Sequence, residues 1–92
     1  MTTYDRFVYW GNECIKLKES NDLKAIDRAL ANWLEASIAY RSALDRITRK
    51  RLKGNSNDKQ AKDNIFVIEQ LNDLIFMIRT TRAQAQEKIK SK

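Results

Sequence analysis

The fold is decided by residues 23–53, which read LKAIDRALANWLEASIAYRSALDRITRKRLK. Apolar and small residues recur in this stretch at alternating steps of four and three, which is the spacing of one face of an α-helix. They are Ile26, Leu30, Trp33, Ser37, Tyr40, Leu44 and Ile47. Because cap candidates precede the pattern, it predicts one helix over residues 22–53, about 45 Å long.

A shorter helix is expected before it, over residues 3–19. Tyr4, Phe7, Gly11 and Cys14 follow one another at steps of three and four and form its apolar stripe. Glycine in a helix interior costs up to about 1 kcal/mol relative to alanine. We therefore expect another helix or a ligand to approach the chain closely at Gly11.

The main linker of the chain is residues 54–58, Gly-Asn-Ser-Asn-Asp, and a third helix is expected over residues 58–90. Its apolar face consists of Val67, Ile68, Leu71, Leu74, Ile75, Ile78, Ala85 and Ile89. Arg82 takes a core-like position on this face, where it can either extend its charged end to solvent or pair with an acidic residue near the connection of the first two helices. Short connections make successive helices antiparallel neighbours. We predict an all-α fold: a small antiparallel bundle of three helices in a single domain, residues 1–92, with a long hairpin of the second and third helices.

A second apolar set lies on the third helix, about 120–140° or more from the centre of its main face. It consists of Ile65, Phe66, Phe76 and Met77. The first helix, at about 25 Å, is too short to cover the whole hairpin. We interpret these four residues as a protein interface, which a homodimer or another protein partner would complete. The alternative is that the first helix covers part of this face.

The net charge of +6 is concentrated in one segment. Residues 41–62 contain eight basic and two acidic side chains, whereas the rest of the chain is neutral when taken together. The candidate residues for binding nucleic acid or an acidic partner are Arg41, Arg46, Arg49, Lys50, Arg51, Lys53, Lys59 and Lys62. The alternative is a solvated helix end whose cations oppose the helix dipole. No aromatic residue lies between positions 46 and 62, which favours contacts with phosphates and shape over reading of bases.

Several classes of function are disfavoured by composition. The chain has no histidine and one cysteine, and it contains no phosphate-binding loop, zinc spacing or nucleophile elbow. We therefore expect no enzyme, no metal site, no cofactor and no small-molecule substrate. Cys14 is interpreted as a packed thiol without a base to activate it. No signal peptide or membrane-spanning stretch is recognisable, so we expect a cytoplasmic protein that does not enter membranes.

Two hypotheses for function remain open. In the first, a non-enzymatic binding protein uses the basic segment to contact nucleic acid or a nucleoprotein complex. In the second, the chain is a protein inhibitor, an immunity or antitoxin protein, or a phage-type factor that docks on a host protein or nucleoprotein complex and blocks its site. Small size, high helix content and one charged end are compatible with both.

Overall fold

The computed structural model describes residues 2–91, and within that range it consists of three helices without a strand. They are α1 (Thr3–Lys16), α2 (Leu23–Gly54) and α3 (Lys59–Lys90). α2 packs against both other helices, whereas no Cα atom of α1 lies within 8 Å of a Cα atom of α3. The molecule is elongated, with principal extents of 55 × 23 × 16 Å. The prediction of a small all-α bundle is confirmed.

Side-chain caps fix where the helices begin. Thr2 Oγ1 accepts a hydrogen bond from the backbone N–H of Asp5 at 3.1 Å, and the Asp5 carboxylate accepts one from the backbone N–H of Thr2 at 3.3 Å. This reciprocal pair is a capping box, which satisfies two backbone donors at the start of α1. Asp22 and Asp58 cap α2 and α3, each accepting from the backbone N–H three residues later, at 3.1 and 2.9 Å.

α1 ends at Lys16, three residues before its predicted end. After Leu17 the backbone hydrogen bonds join residues that are three apart, instead of the four that are usual in an α-helix. The N–H of Lys18 donates to the carbonyl of Ile15 at 3.2 Å, and the N–H of Ser20 donates to the carbonyl of Leu17 at 2.9 Å. Such bonds are common at helix ends, and here they turn the chain toward α2.

The hairpin of α2 and α3 packs through positions that alternate by three and four residues. The buried residues of α3 are Ala61, Asn64, Leu71, Ile75, Ile78 and Ala85. Three side-chain contacts set the antiparallel register, namely Arg82 Nε to Asp27 Oδ1 at 3.0 Å, Arg41 Nη1 to Asn72 Oδ1 at 2.9 Å and Arg51 Nε to Asp58 Oδ1 at 3.0 Å. The alternation of three and four residues along each helix amounts to a seven-residue repeat, which is typical of antiparallel helical pairs. The expected pairing of Arg82 with an acidic residue near the start of α2 is confirmed.

α1 packs on another side of α2 through aromatic rings. The ring centroids of Tyr4 and Tyr40 lie 5.4 Å apart, and Phe7 lies 5.3 Å from Tyr40 and 6.3 Å from Trp33. A Cβ atom placed on Gly11 would lie only 3.2 Å from Trp33 Nε1 and 3.3 Å from Trp33 Cε2. The close approach expected at Gly11 is therefore made by the indole ring of Trp33.

Replacing Gly11 with leucine should separate α1 from α2. The added side chain must occupy space already taken by the Trp33 ring, and overpacking of this kind costs about 1–3 kcal/mol. We expect a lower midpoint of urea unfolding and altered tryptophan fluorescence. Gly11→Ala is the control, because its single methyl group requires a shift of a few tenths of an ångström, which the better helix propensity of alanine offsets. A Gly11→Leu variant as stable as the wild type would contradict this packing.

The far half of the hairpin lacks a third helix. Tyr4, near the start of α1, packs on Tyr40 of α2. Two turns further along the same side of α2, Ile47 is 52% exposed. Val67 on α3 is also exposed there. The sequence predicts one apolar face along α2. In the structure this face is divided into two, one packed against α3 and one against α1, because the two neighbouring helices lie on different sides of α2. Ile47 and Val67 belong to faces that no helix among residues 2–91 covers.

Candidate anion-binding end of the hairpin

The basic end of the molecule, residues 41–62, comprises about four turns of α2, the connection and the first turn of α3. Its largest cationic group lies on the side of α2 that faces away from both neighbouring helices. This group, which we call the α2 flank, consists of Arg46, Arg49, Lys50 and Lys53. All four residues are exposed, so their charges are presented to solvent at the end of the hairpin.

A smaller cationic group lies on α3. Lys59 and Lys62, which we call the α3 flank, are exposed and lie on the side of α3 turned away from α2. The two flanks therefore point in opposite directions across the hairpin. The structure does not bring the eight predicted cations into one continuous patch, because helical spacing distributes them over two outer surfaces and the seam between α2 and α3.

Three of the predicted cations already have partners. Arg41 donates to the Asn72 side chain, and Arg51 pairs with Asp58 across the connection. Arg49 Nε lies 3.1 Å from a carboxylate oxygen of Asp45, one turn earlier on α2. Arg41 and Arg51 therefore help to hold the hairpin together, although both keep their charge.

The other five predicted cations form no ion pair with any residue between positions 2 and 91. They are Arg46, Lys50, Lys53, Lys59 and Lys62. Residues 46–53 of the α2 flank span about 10 Å along the helix axis. That length matches the axial rise of about three nucleotides in one strand of duplex DNA. An α2 flank lying parallel to the duplex axis would therefore be long enough to contact about three successive phosphates.

Asp58 anchors the connection between the two long helices. Its pKa is lowered, chiefly by the hydrogen bond from the backbone N–H of Ala61 and next by the hydrogen bond from Arg51. Because the pKa is lower in the folded protein, the carboxylate stabilises the fold fully at pH values above its unfolded pKa. That contribution is lost as the pH falls through the folded pKa. At neutral pH the ionised side chain both caps α3 and ties it to Arg51.

A second exposed surface lies next to the basic end, on the side of α3 that faces away from α2. The four residues predicted as a protein interface are exposed there: Ile65 at 39%, Phe66 at 62%, Phe76 at 73% and Met77 at 50%. With Glu69 and Asp73, which are also exposed, they form what we call the outer face of α3. α1 packs on α2 instead and leaves Ile65, Phe66 and Phe76 uncovered, whereas Met77 borders the groove between α1 and α3.

An apolar groove of about 460 Å³ opens between α1 and α3, with α2 as its floor. It is lined mainly by Cys14, Ile15, Leu17, Ile26, Ala29, Leu30, Trp33, Met77 and Ile78. Sequence reasoning missed the groove, since it forms between two helices whose Cα atoms nowhere come within 8 Å of each other. The one related signal in the sequence was Gly11, where α1 lies close to the ring of Trp33, a residue that also lines the groove.

Cys14 lies in the wall of this groove. Partial burial, and secondarily the neighbouring charge of Glu13, raises the pKa of its thiol to about 11. A thiol with a raised pKa is largely protonated at neutral pH, and the thiolate is the reactive form.

We expect Cys14 to react slowly with iodoacetamide. Because its pKa lies about two units above the reference value, the thiolate fraction near pH 8 falls by about 100-fold relative to a cysteine with that reference pKa. The rate should be measured by mass spectrometry on the native protein and on the urea-unfolded protein, which serves as the matched control. Equal rates in the two states would contradict a protected thiol.

In comparisons with known proteins, no family model, curated protein or solved structure matches this chain. Within residues 2–91, no cluster of three or more potential metal ligands occurs. None of the three helices has an apolar stretch of the length required to cross a membrane. The function is therefore inferred from the charge, exposure and contacts of the two surfaces on the hairpin.

Proposed function

We propose that the protein is a non-enzymatic binding protein whose basic end contacts nucleic acid, or a complex that handles nucleic acid, through phosphate groups. The α2 flank is the observation that carries the proposal. It presents four cations on one exposed side of a helix, and three of them form no ion pair within residues 2–91. A row of this kind, at the end of the molecule where the excess positive charge is concentrated, suits a polyanion.

The chemistry of the flank favours recognition of the backbone over recognition of bases. It contains only lysine and arginine, and no aromatic ring lies between positions 46 and 62 to stack on a base. Phosphate contacts fix position and orientation without reading sequence. We therefore propose binding that depends on salt and on nucleic-acid shape, in the cytoplasm, without a catalysed reaction or a cofactor.

Fluorescence anisotropy with a duplex DNA, a single-stranded DNA and a duplex RNA tests this proposal. About three phosphate contacts predict that the logarithm of the affinity for duplex DNA falls with the logarithm of salt concentration with a slope near −2.7. Between about 50 and 200 mM salt the affinity should then fall by about 40-fold. An absence of binding to all three probes at the lowest salt concentration would rule out direct nucleic-acid binding.

The second candidate is a protein inhibitor, an immunity or antitoxin protein, or a phage-type factor that blocks a host protein or nucleoprotein complex. The exposure of Phe66 and Phe76 favours it, because large apolar side chains on a small protein commonly mark contacts with other proteins. Affinity capture with and without nuclease separates the two candidates. A stoichiometric protein partner retained after nuclease treatment, and lost in a Phe66→Ala, Phe76→Ala variant, supports the second.

A further inference from the structure

The outer face of α3 contains two parallel apolar rows. Ile65 and Phe76 are eleven positions apart, which corresponds to about three helical turns, so they lie in line along the helix. Phe66 and Met77 form a second line with the same spacing. Both rows are exposed, and together they extend about 18 Å along α3, from Ile65 to Met77, which is enough to contact a helix of several turns.

Two carboxylates lie between these rows. Glu69 and Asp73 are separated by one turn, so their side chains are neighbours in the middle of the face. Neither forms an ion pair within residues 2–91. Residues 63–78 contain three acidic side chains and no lysine or arginine. The outer face is therefore apolar along both sides and negative along its centre, next to a basic end of opposite sign.

This charge arrangement argues against a second copy of the chain as the occupant. In an antiparallel two-fold contact, the outer faces of two copies would meet with their centre at the level of residue 71 along the helix. The apolar rows of one copy would then lie against those of the other. The same contact would also bring Glu69 and Asp73 of both copies together, so that four carboxylates would meet at the centre. Lys62 of the α3 flank is the nearest cation on this side of α3, but it lies two turns, or about 10 Å, before Glu69 and is too far away to neutralise them. Like charges placed together cost several kcal/mol.

We propose that the outer face of α3 binds a basic amphipathic helix of another protein. Lysine or arginine side chains of that helix would lie between Glu69 and Asp73, and large apolar side chains on both sides of them would pack on Phe66 and Phe76. This binding site is separate from the phosphate contact proposed for the α2 flank, and neither proposal depends on the other.

The two components of the face have different roles in this interaction. Large aromatic side chains that lose their water on binding commonly supply most of the affinity of an interface, so Phe66 and Phe76 should be the main anchors. Charge complementarity mainly selects the partner and suppresses incorrect ones. Glu69 and Asp73 should therefore determine that the bound helix is basic, although the protein as a whole is positively charged.

A display selection tests the proposal without assuming a partner. The probe is a library of helical peptides of about 18 residues, in which the positions of one face vary among Lys, Glu, Leu, Phe and Ser. Peptides are selected on the wild-type protein and counter-selected on the Phe66→Ala, Phe76→Ala variant. That variant keeps the basic end, so the counter-selection removes Glu-rich peptides that bind there. We expect the enriched peptides to contain Lys flanked by Leu or Phe.

An enriched peptide should bind the Glu69→Lys, Asp73→Lys variant about tenfold or more weakly than the wild type. The matched control is Glu19→Lys, Glu35→Lys, which changes the net charge equally at exposed residues away from this face, and it should bind nearly as the wild type does. Circular dichroism confirms that the variants stay helical. A selection that yields no peptides, peptides without an excess of Lys, or peptides insensitive to Glu69→Lys, Asp73→Lys would overturn the proposal. So would a dimer detected by light scattering that disappears in the Phe66→Ala, Phe76→Ala variant.

Discussion

A triple variant, Arg46→Glu, Lys50→Glu, Lys53→Glu, is expected to bind duplex DNA about 100-fold or more weakly than the wild type at low salt. Each substitution removes a phosphate contact and replaces it with a repulsive charge. The three residues are exposed and form no ion pair within residues 2–91, so the fold should not depend on them. The slope of affinity against salt should approach zero, because the counterion release that produces it is lost.

A matched control keeps the same net charge but moves the changes away from the α2 flank. Lys24→Glu, Arg28→Glu, Lys88→Glu also changes three exposed cations, and the first two lie on α2 at its other end. Arg28 and Lys50 are about 33 Å apart along the helix axis. This distance is several Debye lengths at physiological salt, so charges at one end are screened from a phosphate bound at the other. The control should keep the wild-type salt slope. Equal losses in the two variants would show that the affinity reflects total charge and not a localised site.

The double variant Lys59→Glu, Lys62→Glu distinguishes the two cationic flanks. These residues lie on the opposite side of the hairpin from the α2 flank, so one phosphate strand does not reach both groups. We expect a modest loss, smaller than that of the triple variant. A loss as large as that of the triple variant would indicate that nucleic acid wraps around the end of the hairpin.

The sequence was sufficient to predict the helices because the signals for them are local. The predicted boundaries of the second and third helices agree with α2 and α3 to within one residue at each end. Three candidate cap residues precede each of these helices, at positions 20–22 and 56–58, and the last of each run, Asp22 and Asp58, is the one that caps. A capping side chain acts on the backbone only three residues away, so the start of a helix can be predicted from nearby sequence. The predicted end of the first helix was wrong by three residues, because the tightened turn after Lys16 has no strong sequence signature.

The arrangement of the site was less predictable because it depends on how the helices are placed around α2. Sequence placed Arg41 and Arg51 with the other cations, but in the structure both make contacts within the hairpin. The spacing of Glu69 and Asp73 by itself indicates only two neighbouring carboxylates on the solvent side of a helix. Their position between two exposed apolar rows becomes visible only once α1 is known to pack elsewhere. Sequence periodicity gives the faces of each helix, and the tertiary structure determines which faces remain uncovered.

Ile78→Ala is expected to be among the most destabilising single substitutions in the chain. The Ile78 side chain has no exposed surface and lies where α3 packs on α2, beside the groove below α1. Truncating a fully buried isoleucine costs about 2–5 kcal/mol, through lost burial and the cavity that remains. A protein of this size is commonly stable by only about 5–15 kcal/mol, so the variant should lose a large fraction of its stability. Urea unfolding followed by circular dichroism measures the loss.

The matched control for this substitution is Phe76→Ala on the same helix. It removes a larger side chain, but Phe76 is 73% exposed, so we expect a change within about 0.5 kcal/mol. The contrast is informative because hydrophobicity alone would assign Phe76 to the core and predict the larger effect there. A stable hairpin with Phe76 removed would mean that the fold does not require this ring. A loss of stability in Phe76→Ala comparable to that in Ile78→Ala would instead place Phe76 in the core and remove the basis for a binding surface on α3.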